Sequence, residues 1–167
     1  MIMSPRLATA LVLACAALSL SACGFRPLYA QPGVTPGLSA VQVVAPGGRA
    51  GYLVGEALGD AMGSGAGAPA WRLNLDLSEQ RFPRGLRVDN VATRYEYVLI
   101  AAYTLRDVAT DVPAKVGRVR VELTYDSADQ PYASVAAQQD AQERAAEEAA
   151  RRIQLELAAW FAEQGQD

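Results

Sequence analysis

The chain of 167 residues contains no histidine, only two cysteines and, among 15 basic residues, a single lysine, Lys115. Without histidine, the chain lacks the commonest general base and the commonest transition-metal ligand. It also shows no glycine-rich phosphate loop after a strand and no paired carboxylates in a recognisable setting. The pattern therefore predicts neither an enzyme nor a metal site, and the net charge of -3 argues against a nucleic-acid partner.

An uncharged run opens the chain. The stretch LATALVLACAALSL, residues 7–20, follows a short segment that carries Arg6. It is too short for a comfortable membrane span and has the plan of a secretory signal peptide. The next residues end in Leu-Ser-Ala-Cys, which fits the bacterial lipobox, so residues 1–22 are predicted to be removed. An ordinary signal peptide with a cysteine there by chance is the alternative.

The two cysteines have separate fates in this interpretation. Cys15 leaves with the signal peptide, and Cys23 becomes the first mature residue, with its sulfur in a thioether to an N-acylated diacylglycerol. No disulfide is then possible, and no other cofactor is expected. Residues 23–37 contain three prolines and three glycines and are predicted to form a flexible linker. Residues 38–167 have the length of one domain.

The rest of the chain alternates between two periodicities. Residues 41–43, 71–82, 92–107 and 116–126 alternate apolar and polar side chains, as strands do. Residues 52–62 and about 134–164 show helical spacing instead. The order β-α-β-β-β-α predicts an α+β fold: a two-layer α/β sandwich, with a roughly four-stranded sheet packed by two helices and one sheet face left open.

The long C-terminal helix is predicted to pack through one alanine-rich side. A free coiled coil is the rival interpretation, but the stripe does not keep a strict heptad. The predicted buried positions are Val135, Ala146, Ala149, Ile153, Leu157 and Trp160.

Three stretches resemble one known family. They are CGFRPLY directly after the lipobox, TRYEYVLIAAYTLRD in the centre, and YDSADQPYASVAAQQDAQERAAEEAARRIQLELAAWF at the end. Together they are similar to the alphaproteobacterial form of the LptE family of lipopolysaccharide-assembly lipoproteins. The resemblance implies a non-catalytic protein, lipid-anchored on the periplasmic side of the outer membrane. It also implies two partners: the β-barrel LptD, which the lipoprotein plugs and helps to assemble, and lipopolysaccharide.

Candidate contact residues follow from charge and face. The arginines around the predicted turn after the second strand are candidates for anionic lipopolysaccharide, although a solvated turn explains them equally. They are Arg81, Arg84, Arg87 and Arg94. Residues on the open face are candidate barrel contacts, although the two apolar ones also suit a bulge or a helix contact. They are Val98, Ile100, Arg118 and Arg120.

Two other functions remain open at the sequence level. One is a periplasm-facing lipoprotein that scaffolds a different envelope complex. The other is a lipid-carrying binder with an internal cavity, which the small alanine and glycine residues of both helices do not favour. Recovery of a large β-barrel with the tagged protein would separate the first prediction from these.

Overall fold

The structure is a computed structural model that describes residues 28, 31, 33–63, 65, 67–86, 92–127 and 130–165. The predicted signal peptide, Cys23 and Arg87 lie outside these residues. The elements, in chain order, are α1 Val34–Ser39, β1 Val41–Val44, α2 Arg49–Met62, β2 Trp71–Leu86, β3 Ala92–Asp107, β4 Pro113–Asp126 and α3 Pro131–Gln164.

The four strands form one mixed sheet in the order β1-β2-β3-β4. Strand β1 is short and runs parallel to the start of β2, whereas β2, β3 and β4 are antiparallel neighbours. All three helices pack on the same side, because the core consists of the helix stripes and one face of the strands. The predicted two-layer α+β sandwich is therefore confirmed, with one helix more than expected.

The extra helix, α1, overlaps the end of the predicted linker. Gly33 precedes it with φ of 86°, and Pro36 stands in its first turn, where a missing N–H costs nothing. Val34 and Leu38 are fully or almost fully buried in the domain core. The prediction that the linker extends to residue 37 is therefore wrong, because this proline and glycine pattern also suits the start of a short helix.

Helices α2 and α3 run side by side in the same direction. At one end, the Arg49 guanidinium donates to the side chains of Gln142 and Glu143. At the other end, Gln154 donates to the carbonyl of Ala61. Alanines at the buried positions of α3 let the helix lie close to its neighbours, since no long side chain holds them apart.

One residue of the predicted stripe on α3 is misplaced. Val135 is 55% exposed, although it falls on the same side of the helical wheel as buried Ala146. The reason is the length of α2: its first residue, Arg49, reaches only Gln142 and Glu143. Val135 lies about two turns beyond that point and has no helix beside it.

Leu75→Ala is expected to destabilise the domain by about 2–3 kcal/mol, because it leaves a cavity under the helices. Leu75 is 9% exposed and belongs to the core cluster. Asn74→Ala, the next position on the open face, is expected to cost within about 0.5 kcal/mol. Urea unfolding of both variants checks the face assignment, and equal losses would show that it is wrong.

Candidate functional site

The open face of the sheet is built by every second residue of β2, β3 and β4. Its centre is a row of three positions in register on β3: Val98, Ile100 and Ala102. Polar side chains border this row on both sides, because its neighbours on β2 are Gln80, Ser78 and Asp76, and those on β4 are Glu122, Arg120 and Arg118. The face therefore has an apolar centre with a positive border along β4.

Val98 is the exception to the predicted exposure of this face. It is 0% exposed, although it points away from the helices and lies outside the main core cluster. The long side chains of its register neighbours, Gln80 and Glu122, flank it. The prediction that Val98 is free for a barrel contact is therefore wrong, whereas half-buried Ile100 still reaches the surface.

The two basic candidates on β4 differ in their pairing. The Arg120 guanidinium donates to the Glu122 carboxylate at 2.5 Å. The carbonyl of Arg120 also accepts a bond from Arg152 of α3, at 2.7 Å. Arg118 is exposed and bonds to none of the described residues. Arg118 is therefore the cation on this face that a partner can engage without breaking an existing pair.

The structure does not bring the arginines near the β2–β3 connection into one cluster. Arg81 lies on the helix side of the sheet, where it donates to Gln138 of α3 at 2.7 Å and covers the ring of Tyr95. Arg84 and Arg94 lie opposite each other on the open face. Continuing the alternation from Trp71 would have placed Arg81 on the helix side from sequence alone.

Arg84 and Arg94 would repel each other without their acidic partners. Arg84 pairs with Glu96 at 2.7 Å, and Arg94 pairs with Asp126 at 2.8 Å. Both arginines are more than half exposed, so each pair contributes at most about 1 kcal/mol. An anionic ligand would compete with two carboxylates here rather than meet bare cations.

Two tyrosines under the helices donate to carboxylates: Tyr97 to Glu79, and Tyr103 to Glu156 of α3. Burial raises the pKa of both hydroxyls, and the bond to the carboxylate raises each pKa further. Both hydroxyls therefore stay protonated at physiological pH. The Tyr103 bond joins the sheet to α3, the Tyr97 bond joins β3 to β2, and both hydroxyls are poorly suited to proton transfer.

A groove between α2 and α3 was not predicted. It has a volume of about 620 Å³, with a floor of Leu53 and small alanines. Three of its carboxylates bond to none of the described residues: Glu56, Asp60 and Glu147. The helical spacing of each segment could not show that two helices bring these acids together.

The described part of the chain lacks both a metal-binding cluster and a membrane-spanning helix. It holds no group of three or more histidine, cysteine, aspartate or glutamate side chains arranged to bind a metal ion. Among the same residues, none of the helices combines the length and the apolar character that a membrane crossing requires.

The fold and its surfaces define a class of protein: a small α+β domain whose own helices cover one sheet face and leave the other open. A family model described as LptE, lipopolysaccharide-assembly, matches residues 38–157. The chain therefore belongs to the LptE family, as its sequence resemblance predicted. This is a family of non-enzymatic lipopolysaccharide-assembly lipoproteins, and the protein is accordingly an envelope lipoprotein.

Solved structures support this assignment. A protein from Caulobacter crescentus CB15 described as a lipoprotein is 53% identical, with a TM-score of 0.69 over 79% of this chain and 97% of that one. Rare lipoprotein B from Shewanella oneidensis is 16% identical, with a TM-score of 0.57 over 74% of this chain and 96% of that one. Lipoprotein B from Nitrosomonas europaea is also 16% identical, with a TM-score of 0.57 over 73% of this chain and 83% of that one. The last two share the fold alone. No curated protein matches the chain.

Proposed function

We propose that this protein is anchored in the outer membrane through a lipid on Cys23 and plugs the β-barrel LptD. In this role it assists assembly of the barrel and the insertion of lipopolysaccharide into the outer leaflet. The family membership supports the assembly role, and the lipobox at residues 20–23 supports the anchor. The open sheet face is the observation that carries the contact with a barrel.

A plug must offer a surface that forms contacts with a largely polar barrel interior. The open face combines a half-buried isoleucine, Ile100, with the exposed Arg118 and Arg120. Arg118 is unpaired among the described residues, so a carboxylate or carbonyl of the barrel wall gains a charge-assisted hydrogen bond without displacing another partner. The buried Val98 supports the face from below and makes no contact in this proposal.

Lipopolysaccharide recognition is proposed for Arg84 and Arg94. The two residues are register partners on the open face, and their guanidinium groups can bind a phosphate once Glu96 and Asp126 are displaced. Arg81 contributes to the same task only indirectly, since it is held against Tyr95 on the other side of the sheet. Because both pairs are exposed, this binding should weaken as salt is added.

Replacing Arg118 and Arg120 with glutamate is expected to reduce recovery of the barrel at least tenfold, about 1.4 kcal/mol, because like charges then meet across the contact. The measurement is co-purification of the acylated, tagged protein in mild detergent. A melting curve should stay near that of the wild type, since both side chains are exposed.

Glu147→Arg is the matched control, because it reverses an exposed charge in the groove on the opposite layer. It should leave recovery of the barrel unchanged. Loss of the barrel with Glu147→Arg, but not with the two arginine reversals, would place the contact on the helices. If a different envelope complex co-purifies with the wild-type protein instead of the barrel, the plug assignment itself is wrong.

A further inference from the structure

Both tryptophans of the chain lie at one end of the domain. Trp71 begins β2, and Trp160 stands near the end of α3 beside Phe161. The ring centroids of the two tryptophans are 5.3 Å apart, and that of Phe161 is 4.9 Å from Trp160. Both tryptophans are half-buried, so part of each ring reaches the surface.

The connection between β3 and β4 lies at this same end. Asp107 is the register partner of Trp71, and Val108 donates its N–H to the carbonyl of Ala70 at 2.9 Å. The Asp107 carboxylate accepts the N–H groups of Ala109 and Thr110, at 2.9 and 2.8 Å. These bonds fix the turn, which holds Val112 with 58% of its surface exposed.

Charges around the turn are balanced. Asp111 lies 3.7 Å from both Arg72 and Arg106, and the Arg106 guanidinium also donates to the Asp111 carbonyl at 2.7 Å. A surface of this kind, with half-buried tryptophans, an exposed valine and paired charges around the turn, suits the headgroup region of a bilayer.

The N-terminal segment joins the domain at this end. Helix α1 packs on the end of α3 so closely that a Cβ on Gly37 would lie 2.6 Å from the Phe161 ring. Leu28 packs against the core, and its carbonyl accepts the N–H of Gln31 at 3.2 Å. Leu28 and Gln31 are therefore already held by the domain.

The length of the tether selects the end that meets the membrane. Five residue steps separate Cys23 from Leu28, which allows at most about 18 Å when fully extended. Tyr132 lies at the opposite end of α3. At the helical rise per residue, it is about 42 Å from Trp160. A lipid on Cys23 thus keeps the tryptophan end near the bilayer.

We propose that, before the protein enters the barrel, the end formed by Trp71, Val112 and Trp160, here called the aromatic end, docks on the phospholipid surface of the membrane that holds the lipid anchor. The inference rests on the anchor at Cys23 in the proposed function. It makes the domain stand on the membrane, with Arg84 and Arg94 pointing away from it. At the usual rise per residue of a strand, Arg84 lies about 43 Å from Trp71 along β2.

The two tryptophans provide the direct test. The acylated full-length protein is reconstituted in phosphatidylcholine vesicles whose lipids are brominated near the top of the acyl chains. Bromine quenches tryptophan only at short range, so the emission should fall relative to vesicles without bromine. Val112→Asp should reduce this quenching by about half or more, since it brings an unpaired charge to the interface.

Residue 132 supplies the control at the other end. Tyr132 is 92% exposed, and Tyr132→Asp should leave tryptophan quenching unchanged. A fluorophore on Tyr132→Cys labels this position alone, because Cys15 is removed and Cys23 is blocked by lipid. It should remain unquenched, since residue 132 lies at the opposite end of α3 from Trp160. Acylated protein with unquenched tryptophans, or equal effects of Val112→Asp and Tyr132→Asp, would overturn the docking.

Intact mass separates this inference from the anchor on which it rests. The wild type should carry the acyl mass and Cys23→Ser should not. If the wild type lacks that mass, the anchor is wrong and the docking falls with it. If the mass is present while the tryptophans stay unquenched, the docking alone is refuted and the proposed anchor stands.

Discussion

Val98→Asp is expected to unfold the isolated domain or to lower its stability by at least about 3 kcal/mol, because it leaves a carboxylate buried without a partner. Val98 is 0% exposed, and the side chains of Gln80 and Glu122 flank it rather than a cation. A loss of this size is a large share of the stability of a small domain. The measurement is urea unfolding of the domain without its signal peptide.

Ile100→Asp is the matched comparison, two residues along the same face of β3. Ile100 is half-buried and has Arg120 as its register neighbour, so the new carboxylate keeps access to water and to a guanidinium. We expect a loss of about 1 kcal/mol. Similar stability for the two variants would contradict the view that neighbouring strands cover Val98 alone.

Gly51→Ala is expected to destabilise the domain by about 3 kcal/mol, the upper end of the usual range for a steric clash in a packed site. A Cβ on Gly51 would lie 1.8 Å from the carbonyl oxygen of Pro46. That oxygen belongs to the backbone of the connection between β1 and α2, so relief requires this connection to move. Thermal unfolding of the purified domain measures the effect.

Gly59→Ala, in the same helix, should have the opposite sign. Apart from its chain neighbours and its own helix backbone, no atom of the described residues lies within 4 Å of a Cβ at this position, so the helix propensity of alanine acts alone and adds about 0.5–1 kcal/mol. The pair shares residue type, substitution and helix, which leaves the neighbouring backbone as the difference. A stabilising Gly51→Ala would refute the close packing at Pro46.

The arginines around the β2–β3 connection show where sequence analysis reached its limit. Composition correctly marked the region around the β2–β3 connection as basic, but it grouped Arg81 with Arg84 and Arg94. The structure separates them, because β2 extends to Leu86 and successive residues of a strand point to opposite faces. The prediction ended this strand at residue 82 and treated the following residues as a turn, so it lost the parity of Arg84, whereas the side of Arg81 could have been counted from Trp71.

Val135 and the groove between α2 and α3 illustrate a different limit of sequence analysis. A helical wheel gives the direction of a side chain on its own helix but not the length of the helix beside it. Val135 therefore appeared equivalent to Ala146, and the pattern of each helix gave no sign that the carboxylates of α2 and α3 meet in one groove. Only the parallel packing of α2 on α3 shows which of these positions are covered and which are brought together.

The sequence by itself determined the strands, the two longer helices, their order and the layer that each face joins. These properties follow from periods of two and 3.6 residues, which act along a single segment. The tertiary structure decided that Val98 is buried, that Arg118 is unpaired among the described residues, and that both tryptophans lie at the end where the N-terminal segment enters. Those properties depend on register and packing between segments distant in sequence, for which a local pattern carries no information.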